Sequence, residues 1–93
     1  MPLFTAILTY GNDVERRQEV RPTHREYLRD LLEQGKLVQS GPFTDDSGAL
    51  IIYEAEDISE AQTLLTNDPF ALNGIIVAAD IKEWNVVMER GQS

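Results

Sequence analysis

Apolar and polar positions alternate along residues 3–10. Phe4, Ala6, Leu8 and Tyr10 share one face, and Leu3, Thr5, Ile7 and Thr9 share the other. That period of two predicts a strand, closed by the turn residues Gly11-Asn12-Asp13. Residues 14–20 are highly charged without a clear period and read as a loop or a loose helical turn. A helix follows. Pro22 suits a first helical turn, where its missing N–H would have been unpaired anyway, and Thr23 with Glu26 offers a capping box as a slightly later start. Tyr27, Leu28, Leu31 and Leu32 make the apolar stripe, and Gly35 is a natural stop. Residues 36–40 read as a short strand ending in Gly41-Pro42, residues 43–48 as a hairpin connection, and residues 49–55 as a strand centred on Leu50-Ile51-Ile52-Tyr53. A second helix is expected over residues 58–66, capped by Asp57 with Glu60 or by Ser59 with Gln62, with Ala61, Leu64 and Leu65 inward. Asp68-Pro69 ends it, because proline disfavours helical geometry in the residue before it. The last strand is long, from residue 74 to about residue 87, and the polar tail over 89–93 is expected to fray.

The resulting order, β-α-β-β-α-β, is the split-βαβ, ferredoxin-like α+β arrangement: a four-stranded antiparallel sheet with two helices on one face. Helices on one side leave the other face of the sheet bare, and a wet face should be polar. Yet Leu50 and Ile52 oppose Ile51 and Tyr53, and Ile75 and Val77 oppose Ile76 and Ala78, so both faces are apolar. A second copy of the chain is the simplest cover, which predicts a homodimer through the open sheet face.

Composition narrows the function classes. Ninety-three residues make one domain, 1–93. Sixteen acids against eight bases give a formal charge of −8, which repels phosphate backbones and anionic lipid and argues against nucleic-acid or membrane partners. The absence of cysteine excludes disulfides and thiolate zinc sites and suits a reducing cytoplasm, the expected location. The N-terminal residues carry no signal-peptide pattern, and no apolar run is long enough to span a bilayer.

His24 is the only histidine, and with no cysteine present it is the one side chain whose unperturbed pKa lies near neutrality. Placed in the first turn of the expected helix, it would feel the positive end of the helix dipole, which disfavours the imidazolium and keeps a neutral ring able to accept a proton. Its spacing from Leu28 and Leu31 turns it towards the core-facing stripe. Asp68 is the candidate carboxylate to orient it, since in this topology the helix ends that carry them can share one end of the domain. The competing reading of Asp68 is a turn residue that merely ends a helix. Ser40 is a candidate hydrogen-bond donor. Arg21, Arg25 and Arg29 recur every four residues, which reads first as a solvated face paired with Glu26 and Glu33. The alternative is that Arg21 turns inward and binds an anionic substrate. One histidine among scattered carboxylates makes no metal site.

Taken together, Arg21-Pro22-Thr23-His24, Gly35-Lys36-Leu37, Ser40-Gly41-Pro42, Gly48, Asp68-Pro69-Phe70 and Trp84 resemble the YCII family over nearly the whole chain. The resemblance implies a ferredoxin-like fold that dimerises as an α/β barrel, and a His–Asp site in a cleft that maps onto His24 and Asp68. Arg21, Ser40 and Phe70 are then the candidate substrate contacts. It also implies small-molecule chemistry, since relatives act in the breakdown of aromatic compounds. The expectation is a cofactor-independent enzyme using His24 and Asp68 for acid/base chemistry on a small cyclic or aromatic metabolite, of isomerase or lyase type. The alternative is a non-catalytic ligand-binding or dimerisation module. A haem- or oxygen-using monooxygenase of related shape is the weaker third reading.

Overall fold

The computed structural model describes residues 1–91; Gln92 and Ser93, the end of the tail expected to fray, lie outside the described residues. The elements are β1 (Leu3–Tyr10), α1 (Val14–Glu33), β2 (Leu37–Pro42), β3 (Gly48–Glu54), α2 (Ile58–Thr66), α3 (Pro69–Leu72) and β4 (Ile76–Trp84). The four strands pair antiparallel in the order β2-β3-β1-β4. This is the ferredoxin-like topology, with a short third helix added before the last strand. Phe4 faces Tyr53, Ala6 faces Ile51 and Leu8 faces Ala49 across β1 and β3. All six are buried on the helix side, where they pack with Leu28 and Leu31 of α1 and Ala61, Leu64 and Leu65 of α2.

The largest departure from the sequence reading is the start of α1. The helix begins at Val14, not near Pro22, and takes in the charged stretch. Asp13 caps it, its side chain accepting from the Arg16 amide at 3.0 Å. Its buried residues are Arg17, Val20, His24, Leu28 and Leu31, a stripe with spacings of three and four. Arg17 occupies a core position of that stripe, so a charge stands where the period calls for an apolar residue and the helical signal is hidden. Pro22 lies inside the helix on its exposed side, where water can serve the carbonyl that lacks its amide. Leu32 falls off the stripe and is half exposed. His24 therefore sits midway along a 20-residue helix, far from either end. The dipole argument for a neutral ring fails, because that effect fades within the first turn.

The other boundaries shift for local reasons. Gly35 adopts φ 75° and closes α1 as expected, with Lys36 N–H donating to Leu31 O at 2.9 Å and Gly35 N–H to Leu32 O at 3.2 Å. Gly41 and Pro42 belong to β2 and not to a turn, which an edge strand permits. Asp57 caps α2 by accepting from the Glu60 amide at 2.8 Å. β4 is shorter than its apolar run because Gly74, at φ 68°, closes α3, and because Trp84 pairs with Leu3, the first residue of β1. Beyond Trp84 there is no strand left to pair with.

Candidate functional site

The Asp68-Pro69-Phe70 segment builds one wall of the site. Asp68 caps α3, its Oδ1 accepting from the Phe70 amide at 2.9 Å, and Pro69 supplies the preset first helical residue. The same Oδ1 accepts from Nδ1 of His24 at 2.6 Å. Both groups are buried, Asp68 completely. A carboxylate that already accepts from an amide takes the imidazole proton on Nδ1, which leaves Nε2 with a lone pair. The Phe70 ring lies flat against the imidazole, centroids 3.8 Å apart and planes within 1° of parallel. One tripeptide thus supplies both the hydrogen-bond acceptor and the stacking surface that fix the ring of His24. Its turn role and its contact with His24 are the same structural fact.

On its other side His24 borders a cleft of about 460 Å³ between α1 and the β2–β3 edge of the sheet. Leu28, Leu37 and Ile51 make apolar walls, and Ser40, Arg25 and Arg29 are on the rim. Among the described residues Nε2 has no hydrogen-bond partner, and it is not sealed from solvent. The sequence candidates divide at this point. Ser40 lines the cleft. Phe70 is only 1% exposed and stands behind His24, so it backs the imidazole and does not border the cleft. Arg21 is half-buried and lies near Tyr10, whose phenol it lowers, but it is not a cleft-lining residue. Arg25 and Arg29, read as a face paired with Glu26 and Glu33, make no such ion pairs among the described residues.

Two further side chains escaped the sequence reading. Arg17 is buried, pairs with Asp46 of the β2–β3 loop, and places its guanidinium 4.6 Å above the Tyr10 ring. Tyr10 meets Phe70 edge to face at 5.8 Å and also borders the cleft. Arg17, Tyr10, Phe70 and His24 therefore form one continuous stack from the hairpin loop to the cleft. The spacing 17, 20, 24, 28, 31 was the signal that places Arg17 on His24's side of the helix. Behind the pair, Oδ2 of Asp68 and the hydroxyl of Tyr53 are both buried without a hydrogen-bond partner among the described residues. Burial, then the charge of Asp68, then Tyr27, push the Tyr53 phenol far above its ordinary range, so it stays a neutral hydroxyl. Among the described residues no cluster of three or more potential ligands could hold a metal, and no helix is long and apolar enough to cross a membrane.

The YCII-related domain model matches residues 3–85. The chain belongs to the YCII family. Among YCII relatives, protein YciI of Escherichia coli O6:H1 is 29% identical over 87 residues, covering 83% of this chain and 89% of that protein. The solved structure of 5-chloro-2-hydroxyhydroquinone dehydrochlorinase from Burkholderia phenoliruptrix AC1100, in complex with 2,5-dihydroxybenzoquinone, is 28% identical, with a TM-score of 0.78 over 89% of this chain and 93% of the other. Muconolactone isomerase, at 12% identity, shares the fold, with a TM-score of 0.65 over 97% of this chain and 93% of the other. The YCII chain therefore has a fold also found in enzymes that act on small molecules.

Proposed function

We propose that the protein is a small cofactor-independent enzyme in which His24 moves a proton on a cyclic or aromatic metabolite. The observation that carries this reading is the 2.6 Å bond from Nδ1 to Asp68, with Nε2 open to the cleft. Asp68 holds the ring in one tautomer and would balance the imidazolium that forms once Nε2 takes a proton. The proton comes from a carbon next to a carbonyl or from a ring hydroxyl. In an isomerisation it returns at another position; in an elimination it is lost as an anionic leaving group departs. Both outcomes are redox-neutral and need no electron carrier. The dehydrochlorinase supports this class of substrate, being similar in sequence and fold. Ser40 would donate a hydrogen bond at the rim of the cleft, Phe70 would keep the imidazole in plane, and Arg21 would act on the site through Tyr10.

The working form is a homodimer through the open face of the sheet, supported by Leu3, Ile7, Leu50, Ile52 and Trp84 on that side. A cysteine-free chain suits the reducing cytoplasm, where we place it.

The test offers 5-chloro-2-hydroxyhydroquinone and muconolactone to the protein, reading chloride release and isomerisation. Turnover of at least one is expected, with a loss of about 10²–10⁴-fold in His24→Asn. Asp68→Asn is expected to lose much of the same rate. A His24→Asn protein within twofold of the native rate would sink the mechanism. Binding of both compounds without turnover would favour a ligand-binding module instead.

A further inference from the structure

The charges around the cleft are one-sided. Sixteen acids are spread over the 93 residues, yet none of them lines the cleft, whereas Arg25 and Arg29 do. The two arginines are one helical turn apart on α1, where like charges disfavour each other. Glu33 lies one turn beyond Arg29, at a spacing suited to an ion pair, but no such pair forms. Among the described residues neither guanidinium has a hydrogen-bond or ion-pair partner. Two repelling, unpartnered cations at the mouth of an apolar cleft leave a position that an anion would neutralise. The net charge of −8 does not cancel this locally, because exposed charges are screened beyond about 8 Å at physiological ionic strength.

We propose that the cleft takes a small organic anion, with its ring against Leu28 and Ile51 and its carboxylate or phenolate against Arg25 and Arg29. This rests on the acid/base reading above and names the class of compound that reaches His24. Guanidinium groups match a carboxylate in a two-point geometry that an ammonium cannot offer. A cleft of about 460 Å³ is in the range for a ligand of one or two rings. The arrangement also divides the work along the helix: Arg25 and Arg29 hold the anionic end, and His24, one residue before Arg25, meets the ring. Arg21, the anion contact expected from sequence, is turned to Tyr10 instead.

The lone histidine gives the experiment a clean readout. Its Hε1 resonance is followed by NMR while benzoate, or its neutral isostere benzamide, is added to the full chain. Benzoate is expected to give a saturable shift with an affinity roughly tenfold above that of benzamide. The preference should fall to about threefold or less in the Arg25→Gln/Arg29→Gln double variant, and it should shrink in high salt. Both arginines are exposed, so the variant should keep its melting temperature. Equal affinity for the two probes, no saturable shift with benzoate, or a preference unchanged in the double variant would each overturn the proposal. The two readings fail separately. In His24→Asn protein, benzoate binding followed through the Leu28 methyl signals should keep its preference. Turnover that survives His24→Asn would remove the mechanism and leave the anion site standing.

Discussion

Tyr53 faces Asp68 across the core with nothing bonded to its hydroxyl, and all three tyrosines of the chain carry raised phenol pKa values. For each the first cause is burial; for Tyr27 and Tyr53 the Asp68 charge adds to it, and at Tyr10 the neighbouring Arg17 and Arg21 work against it. A phenol held neutral in the fold but free to ionise when unfolded gives stability that is complete below the unfolded value, near pH 10, and is lost as pH rises above it. For the deeply buried Tyr53 the loss is about 1.4 kcal/mol per pH unit in that window. Urea melts between pH 8 and pH 11 should show flat stability followed by a decline, with tyrosinate absorbance appearing together with unfolding. Tyrosinate signal from all three rings in the folded protein near pH 10 would contradict the buried placement. At this scale the sequence was a good guide to which residues matter and a poor guide to why. His24 and Asp68 were identifiable as the lone histidine and a carboxylate at a helix boundary. The reason first given for a neutral His24, a helix end, belongs to a position it does not occupy. Its state is set instead by what surrounds the ring: Asp68 on one edge and Phe70 on one face.

At the scale of elements, strands and α2 were legible because apolar period and caps agreed, whereas α1 was misread because its period includes a buried charge. Arg17 is tolerated there only because the β2–β3 hairpin brings Asp46 to it and Tyr10 gives it a ring face. Both partners are distant in sequence, so no local pattern could announce them. The same hairpin explains Gly48. A Cβ on Gly48 would sit 1.7 Å from the Leu8 carbonyl oxygen, a collision with backbone that no rotamer change relieves. Gly48 pairs with Thr9, next to the point where Tyr10 N–H donates to Ser47 O at 3.0 Å. Gly48→Ala must therefore push β1 and β3 apart at the end that carries Tyr10 and the Asp46 loop. We expect a loss of about 1–3 kcal/mol in urea unfolding, together with a shifted Tyr10 environment in aromatic NMR signals. An unchanged unfolding midpoint would mean that the strands separate there at no cost. Gly48 was visible in the sequence as part of a family-like pattern, but its reason, a close approach between strands 40 residues apart, exists only in the folded sheet.

For the whole molecule the open face of the sheet is less uniform than the apolar strands suggested. Ile7, 49% exposed, stands between Leu50 on β3 and Asp80 on β4, while Thr5 stands between Ile52 and Lys82. The β4 side of the face is thus charged at its centre, and the apolar area is concentrated on β1 and β3, with Trp84 at one end. A second copy that covers this face should centre on Ile7 and Leu50 and leave Asp80 and Lys82 near the rim, since charges are depleted from interface centres. Two chains of −8 also repel, so an apolar contact should tighten as salt screens that repulsion, whereas a contact made by ion pairs should weaken. Light scattering at micromolar concentration should give twice the 10.5 kDa chain mass, with the dimer favoured as salt rises. Ile7→Lys buries a charge at the proposed centre but costs the isolated chain little, because Ile7 is already half exposed. It is expected to yield a folded 10.5 kDa species with native helix content. A native protein that scatters as a monomer, or an Ile7→Lys variant that stays dimeric, would move the interface elsewhere. Either result would leave Ile7 and Trp84 in water.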